Sequence, residues 1–104
     1  MPDFIFAYHG GTTPETPEDI EREMAAWGAW FEAMGDAVVI PGNPVGQSYT
    51  VTQDAVTDDG GANPLTGFTV VRASDKDGAI ALAQGCPIVQ DGSGSVEVAE
   101  IHEI

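Results

Sequence analysis

Residues 24–44 read Met24-Ala-Ala-Trp-Gly-Ala-Trp-Phe-Glu-Ala-Met-Gly-Asp-Ala-Val-Val-Ile-Pro-Gly-Asn-Pro44, and this stretch decides the fold. Ile20, Met24, Trp27, Phe31 and Met34 recur at spacings of four, three, four and three, the repeat of a helix face packed on a core. Trp30 flanks that stripe and is expected to reach a cleft or an interface. Gly35 supplies the left-handed stop at the helix end. Ala37 to Pro41 then reads as a short apolar strand. Pro41-Gly42-Asn43-Pro44 forces a turn, because proline at both ends removes donors and fixes φ.

Working outward, Asp3 to His9 reads as a first strand, with Phe4, Phe6 and Tyr8 on one face and Ile5, Ala7 and His9 on the other. Thr16 caps the first helix, with Pro17 at its first position and Asp19 in a capping-box arrangement. Tyr49 to Thr52 and Ala55 to Thr57 pair as a hairpin across Gln53-Asp54. Thr66 to Ala73 is a further strand. Ser74 is expected to cap a second helix running to Gln84, and Ser95 to His102 is the last strand. The order is β-α-β-(hairpin)-β-α-β in one domain over residues 1–104. It predicts an α+β, ferredoxin-like βαββαβ sandwich with strand order 4-1-3-2 and both helices on one face. Apolar pairs such as Phe4/Ile5, Val38/Val39 and Val70/Val71 put hydrophobic side chains on both sheet faces. Two helices cover one face only, so a second copy of the chain is expected on the other, giving a homodimer.

Charge bounds the partners. Seventeen acidic residues face three basic ones, Arg22, Arg72 and Lys76, for a net charge of −14. Such a surface repels a polyphosphate backbone and an anionic membrane, so neither nucleic acid nor membrane is expected as a partner. The excess of carboxylates is expected to serve solubility, a high-salt cytoplasm being the other explanation. No run approaches the roughly 18 consecutive apolar residues of a membrane span. Met1-Pro2-Asp3 leads straight into a strand without a basic leader, and a cytoplasmic location is expected. Cys86 is the sole cysteine, so no intrachain disulfide forms, and it reads as a small packed hydrophobe.

No motif identifies a reaction. Gly10-Gly11, Gly60-Gly61 and Gly92-Ser93-Gly94 lack the spacing of nucleotide-binding loops and read as turns. Asp75-Lys76-Asp77-Gly78 resembles a calcium-loop fragment, but the twelfth position is Cys86 rather than glutamate. His9 and His102 fall at opposite ends of adjacent antiparallel strands, so no metal and no cofactor is expected. His9 with Asp58 is left as a candidate acid–base pair, since an adjacent carboxylate would fix the imidazole tautomer. Arg72 closes a neighbouring strand expected to run parallel to the first. It is therefore placed near His9, holding an anionic substrate group. Asn43 would help position the substrate, and Tyr8 and Trp30 would form an apolar wall.

Several segments taken together resemble the YCII-related family, including its relatives with an Asp-Gly-Pro-Phe motif. They are Phe4-Ile-Phe-Ala-Tyr-His-Gly-Gly11, Met24-Ala-Ala-Trp-Gly-Ala-Trp-Phe31, Pro41-Gly-Asn-Pro-Val-Gly46 and Val56-Thr-Asp58. Asn63-Pro-Leu-Thr-Gly-Phe68, Gly85-Cys-Pro87 and Gly94-Ser-Val-Glu-Val-Ala-Glu-Ile101 complete the set. The resemblance implies a dimeric α+β barrel with a small-molecule cleft. It also implies, in some members, a histidine–aspartate pair for acid–base work, one member type being a dehydrochlorinase. In those members the histidine lies in the first helix, where this chain has Ala25. Asp58 stands at the motif's aspartate, but Asp59-Gly60 replaces Gly-Pro. Two readings follow: a small-molecule-binding dimer with His/Asp chemistry of the lyase or isomerase kind, or a non-catalytic ligand-binding or protein-interaction module.

Overall fold

The computed structural model describes residues 1–104. Strand β1 (Asp3–Gly10) leads to helix α1 (Pro17–Met34), one 3-10 turn and strand β2 (Val38–Ile40). A two-stranded hairpin follows, β3 (Thr50–Val51) with β4 (Val56–Thr57). Then come β5 (Leu65–Arg72), α2 (Lys76–Gln84), the single-turn helix α3 (Pro87–Gln90) and β6 (Gly94–Glu100). The main sheet is antiparallel with order β2-β5-β1-β6, the expected ferredoxin-like arrangement.

Alternation along β1 sorts the side chains. Phe4, Phe6 and Tyr8 enter one core with Val71 and Ala73 of the β5 region, Trp30 and Met34 of α1, and Ala79 and Ala83 of α2. Ile5, Ala7, Phe68 and Val70 fall on the opposite face, outside that core. The molecule is 20 Å thick, the depth of one helix layer on one sheet, so no third layer covers that face. A Cα radius of gyration of 14.8 Å exceeds the ~13 Å of a compact chain this long. Val51 and Val56 on the hairpin, and Tyr49 just before it, are all exposed.

Local chemistry sets the helix ends. Thr16 Oγ1 accepts from the Asp19 N–H, as the sequence suggests. The second helix is capped one residue later than expected, Asp75 Oδ1 rather than Ser74 accepting from the Gly78 N–H at 2.8 Å. The stripe of α1 is also shifted. Trp30 and Met34 are its buried residues, and Trp27 and Phe31 pack beside them, while Ile20 and Met24 are exposed. Trp30 is therefore a core residue, donating its indole N–H to the Leu82 carbonyl at 2.9 Å.

The Pro41–Pro44 turn lies against β5. Gly42 has φ +75°, and a Cβ there would overlap the Phe68 carbonyl. Gly42→Ala is expected to lower stability in urea by more than the ~1–2 kcal/mol of a left-handed backbone alone. An unchanged unfolding midpoint would show that the turn is free to move off β5.

Candidate functional site

A cleft of about 610 Å³ opens between α1, the Pro41–Val45 turn and the Gly10–Pro14 loop. Glu23, Trp27 and Phe31 form its helix wall, and Tyr8, Thr69, Gly67 and Phe68 its sheet side. Tyr8 stands edge-on to Trp27, with centroids 5.1 Å apart and planes at 83°. Glu23 Oε1 accepts the Trp27 indole N–H at 3.3 Å, one helical turn away.

Hydrogen-bond direction in the cleft follows from proton counting. Thr69 gives its hydroxyl proton to the Pro41 carbonyl at 2.8 Å. The 2.6 Å contact between Tyr8 and Thr69 is then made with the phenol donating. Burial pushes the Tyr8 phenol well above its ordinary range. Thr66 similarly gives its hydroxyl proton to the Gly10 carbonyl at 3.1 Å. Tyr8 and Glu23 are the ionisable side chains lining the cleft, and no lysine, arginine or histidine does so.

Of the residues singled out from sequence, Tyr8 and Asn43 line this cleft, whereas Trp30 lies behind it in the core. His9 points to the other sheet face. Its Nε2 lies 2.9 Å from Glu97 Oε1 and its Nδ1 3.2 Å from the Pro64 carbonyl. Both partners are acceptors, so both bonds form only when each ring nitrogen carries a proton. The partner expected for His9 is not in place: no hydrogen bond or ion pair joins it to Asp58, which is exposed beside the hairpin with its backbone carbonyl held by Gln47.

The expected approach of Arg72 to His9 is corrected by the strand direction. β5 runs antiparallel to β1, so Arg72 pairs with Asp3 while His9 pairs with Leu65. Arg72 binds the Asp3 carboxylate at 3.0 Å, at the far end of the sheet. Glu97 was reachable from sequence: with His9 opposite the start of β6, the residue two further along shares its face. Glu23 carries no local signal beyond its place one turn before Trp27.

A family model for the YCII-related domain matches residues 4–104. The chain belongs to that family. Among solved structures, the chain is similar to 5-chloro-2-hydroxyhydroquinone dehydrochlorinase (TftG) from Burkholderia phenoliruptrix AC1100, in complex with 2,5-dihydroxybenzoquinone. The TM-score is 0.60 at 17% identity, covering 100% of this chain and 96% of that one, a likeness of fold. No curated protein sequence matches this YCII-related chain. No helix in it is long and apolar enough to cross a membrane.

Alkaline pH provides a test of the buried groups behind the cleft. Burial raises the Cys86 thiol from 9.0 to about 11, and the Tyr8 phenol rises from 10.0. Both groups favour the folded state while protonated, so their stabilisation is complete below their unfolded values. It is lost as pH climbs, from about 9 for Cys86 and from about 10 for Tyr8. Urea midpoints are expected to fall across this window, and Cys86→Ala is expected to flatten the first part of the fall. A midpoint in the native chain that holds constant from pH 8 to 11 would contradict the burial of both groups.

Proposed function

We propose that this YCII-related chain binds a small organic molecule with a flat apolar body in the helix-side cleft, and that it does so as a homodimer. The observation that carries the first part is a 610 Å³ cleft with the Tyr8, Trp27 and Phe31 rings on its wall and threonine hydroxyls, Asn43 and Glu23 among its lining residues. The bound quinone of the dehydrochlorinase that shares this fold supports a ligand of comparable size. Proton transfer of the lyase or isomerase kind falls to Glu23, the one carboxylate in the cleft. His9 lies across the sheet with both nitrogens engaged, and Asp58 is not beside it. A non-catalytic ligand-binding module is the second reading, favoured by the Tyr8 proton being committed to Thr69.

The homodimer rests on the face bearing Ile5, Ala7, Phe68 and Val70, which no helix covers. A second copy placed there would close the two sheets into an α+β barrel.

An amide NMR titration with benzyl alcohol is expected to shift Gly11, Gly42, Asn43, Gly67 and the Trp27 indole. Trp27→Ala is expected to weaken binding by about tenfold, the loss of one aromatic wall. Shifts confined to the hairpin or to the uncovered sheet face would sink the assignment of the cleft.

Sedimentation equilibrium is expected to return twice the 10.8 kDa chain mass. Added salt should tighten association, because two copies of charge −14 repel each other. A single-chain mass at every salt concentration would remove the dimer.

A further inference from the structure

We infer that the cleft selects a positively charged ligand, a protonated amine or quaternary ammonium on a small apolar body. The inference rests on the cleft being a small-molecule site, and it names the class of molecule that site prefers. Three features of the lining converge on it.

Acceptors dominate among the lining hydroxyls of β1 and β5. The Tyr8 phenol directs its proton to Thr69, Thr69 to the Pro41 carbonyl and Thr66 to the Gly10 carbonyl. These hydroxyls have no proton left for a ligand, but their oxygens keep lone pairs. Glu23 accepts from Trp27 through Oε1, which orients the carboxylate and leaves Oε2 without a partner. The remaining side-chain donors, Thr12, Thr13 and Asn43, are on exposed residues at the mouth.

Aromatic surface supplies the second feature. Tyr8 and Trp27 meet at nearly a right angle, and Phe31 lies 6.2 Å from Trp27. A cation near such a corner is attracted by the electron-rich ring faces, within about 6 Å of a centroid. Beside these rings, the Glu23 carboxylate would complete a charge-assisted contact with an ammonium.

The third feature is the absence of a competing cation among the lining residues. Arg22 lies in the adjoining groove, highly exposed and paired with Asp19 at 3.2 Å. Arg72 is held by Asp3 at the far end of the sheet. A net charge of −14 further concentrates cations near the surface. An anionic ligand would enter against both the overall field and Glu23, with no fixed positive charge to receive it.

A matched series tests this: benzylamine as its cation, benzyl alcohol and benzoate, titrated by calorimetry at pH 7 and fixed ionic strength. Benzylammonium is expected to bind at least about tenfold more tightly than benzyl alcohol, with benzoate weakest. Glu23→Gln keeps an acceptor for the Trp27 indole, and it should cut that preference to about threefold or less. Asp54→Asn makes the same change in net charge at the hairpin turn and should leave the preference intact. Equal affinity for benzylammonium and benzyl alcohol, or a preference undiminished in Glu23→Gln, overturns the charge selection while the cleft assignment stands. A preference reduced as much by Asp54→Asn also overturns it, because the bulk field would then be responsible. If none of the three compounds binds, the cleft assignment falls along with it.

Discussion

The cluster of rings between β1 and α1 governs the rest of the structure. Phe6 stacks on Trp30 at 6.2 Å, Trp30 meets Trp27 at 5.5 Å and Phe31 at 5.3 Å, and Trp27 closes onto Tyr8. Offset and edge-to-face contacts of this kind add to the apolar area they bury and tolerate little rotation. The Trp30 indole is tethered as well, to the Leu82 carbonyl near the end of α2. Together these contacts set how far α1 stands off the sheet. Beyond the last ring the lining turns to glycine, at Gly10, Gly11, Gly42 and Gly67, and the space that side chains would have filled is the cleft. The core and the cavity thus share one cause: large rings hold the layers apart, and small residues leave the gap open.

Much of the architecture was legible because it follows from period and punctuation. The alternation of β1, the caps and glycine stop of α1 and the Pro41–Pro44 turn are local features, and local chemistry produced them. The helix stripe was misread at its ends for a different reason. Spacings of three and four mark a face, but they do not say how much of the helix has a partner beneath it. The N-terminal turns of α1 are only lightly covered, so Ile20 and Met24 stay exposed while Trp30, one turn on from Trp27, takes the buried position. The shift of the second cap from Ser74 to Asp75 is a contest between adjacent residues with similar capping power, settled by which oxygen reaches the Gly78 amide.

The site was legible only where it depends on one strand or one turn. Tyr8 and Asn43 line the cleft because β1 alternation and the proline turn put them there. Arg72 was misplaced through strand direction. In a sheet of order 4-1-3-2 built from two split βαβ units, the two central strands run antiparallel, so their C-terminal ends lie at opposite edges. The ion pair with Asp3 reflects that geometry. Glu97 and Glu23 become meaningful through pairings 88 residues and one helical turn away, respectively. Nothing adjacent to either residue distinguishes it from the other acidic residues of the chain.

The period of two along β1 also separates two kinds of chemistry. Tyr8 faces the cleft with its proton spent on Thr69, while its neighbour His9 faces the uncovered sheet surface between Glu97 and Pro64. A slip of one residue in the β1 register would exchange these roles and bury the imidazole among the rings. Pairing with β6 runs unbroken from Phe4 to Gly10, whereas pairing with β5 breaks between Tyr8 and His9, where Leu65 rather than Thr66 faces His9. That irregularity leaves Thr66 to reach the Gly10 carbonyl at the cleft edge while both strands keep their faces. A molecule in the cleft and a second chain on the sheet would therefore press on consecutive residues of one central strand. The two events can influence each other through the position of that strand.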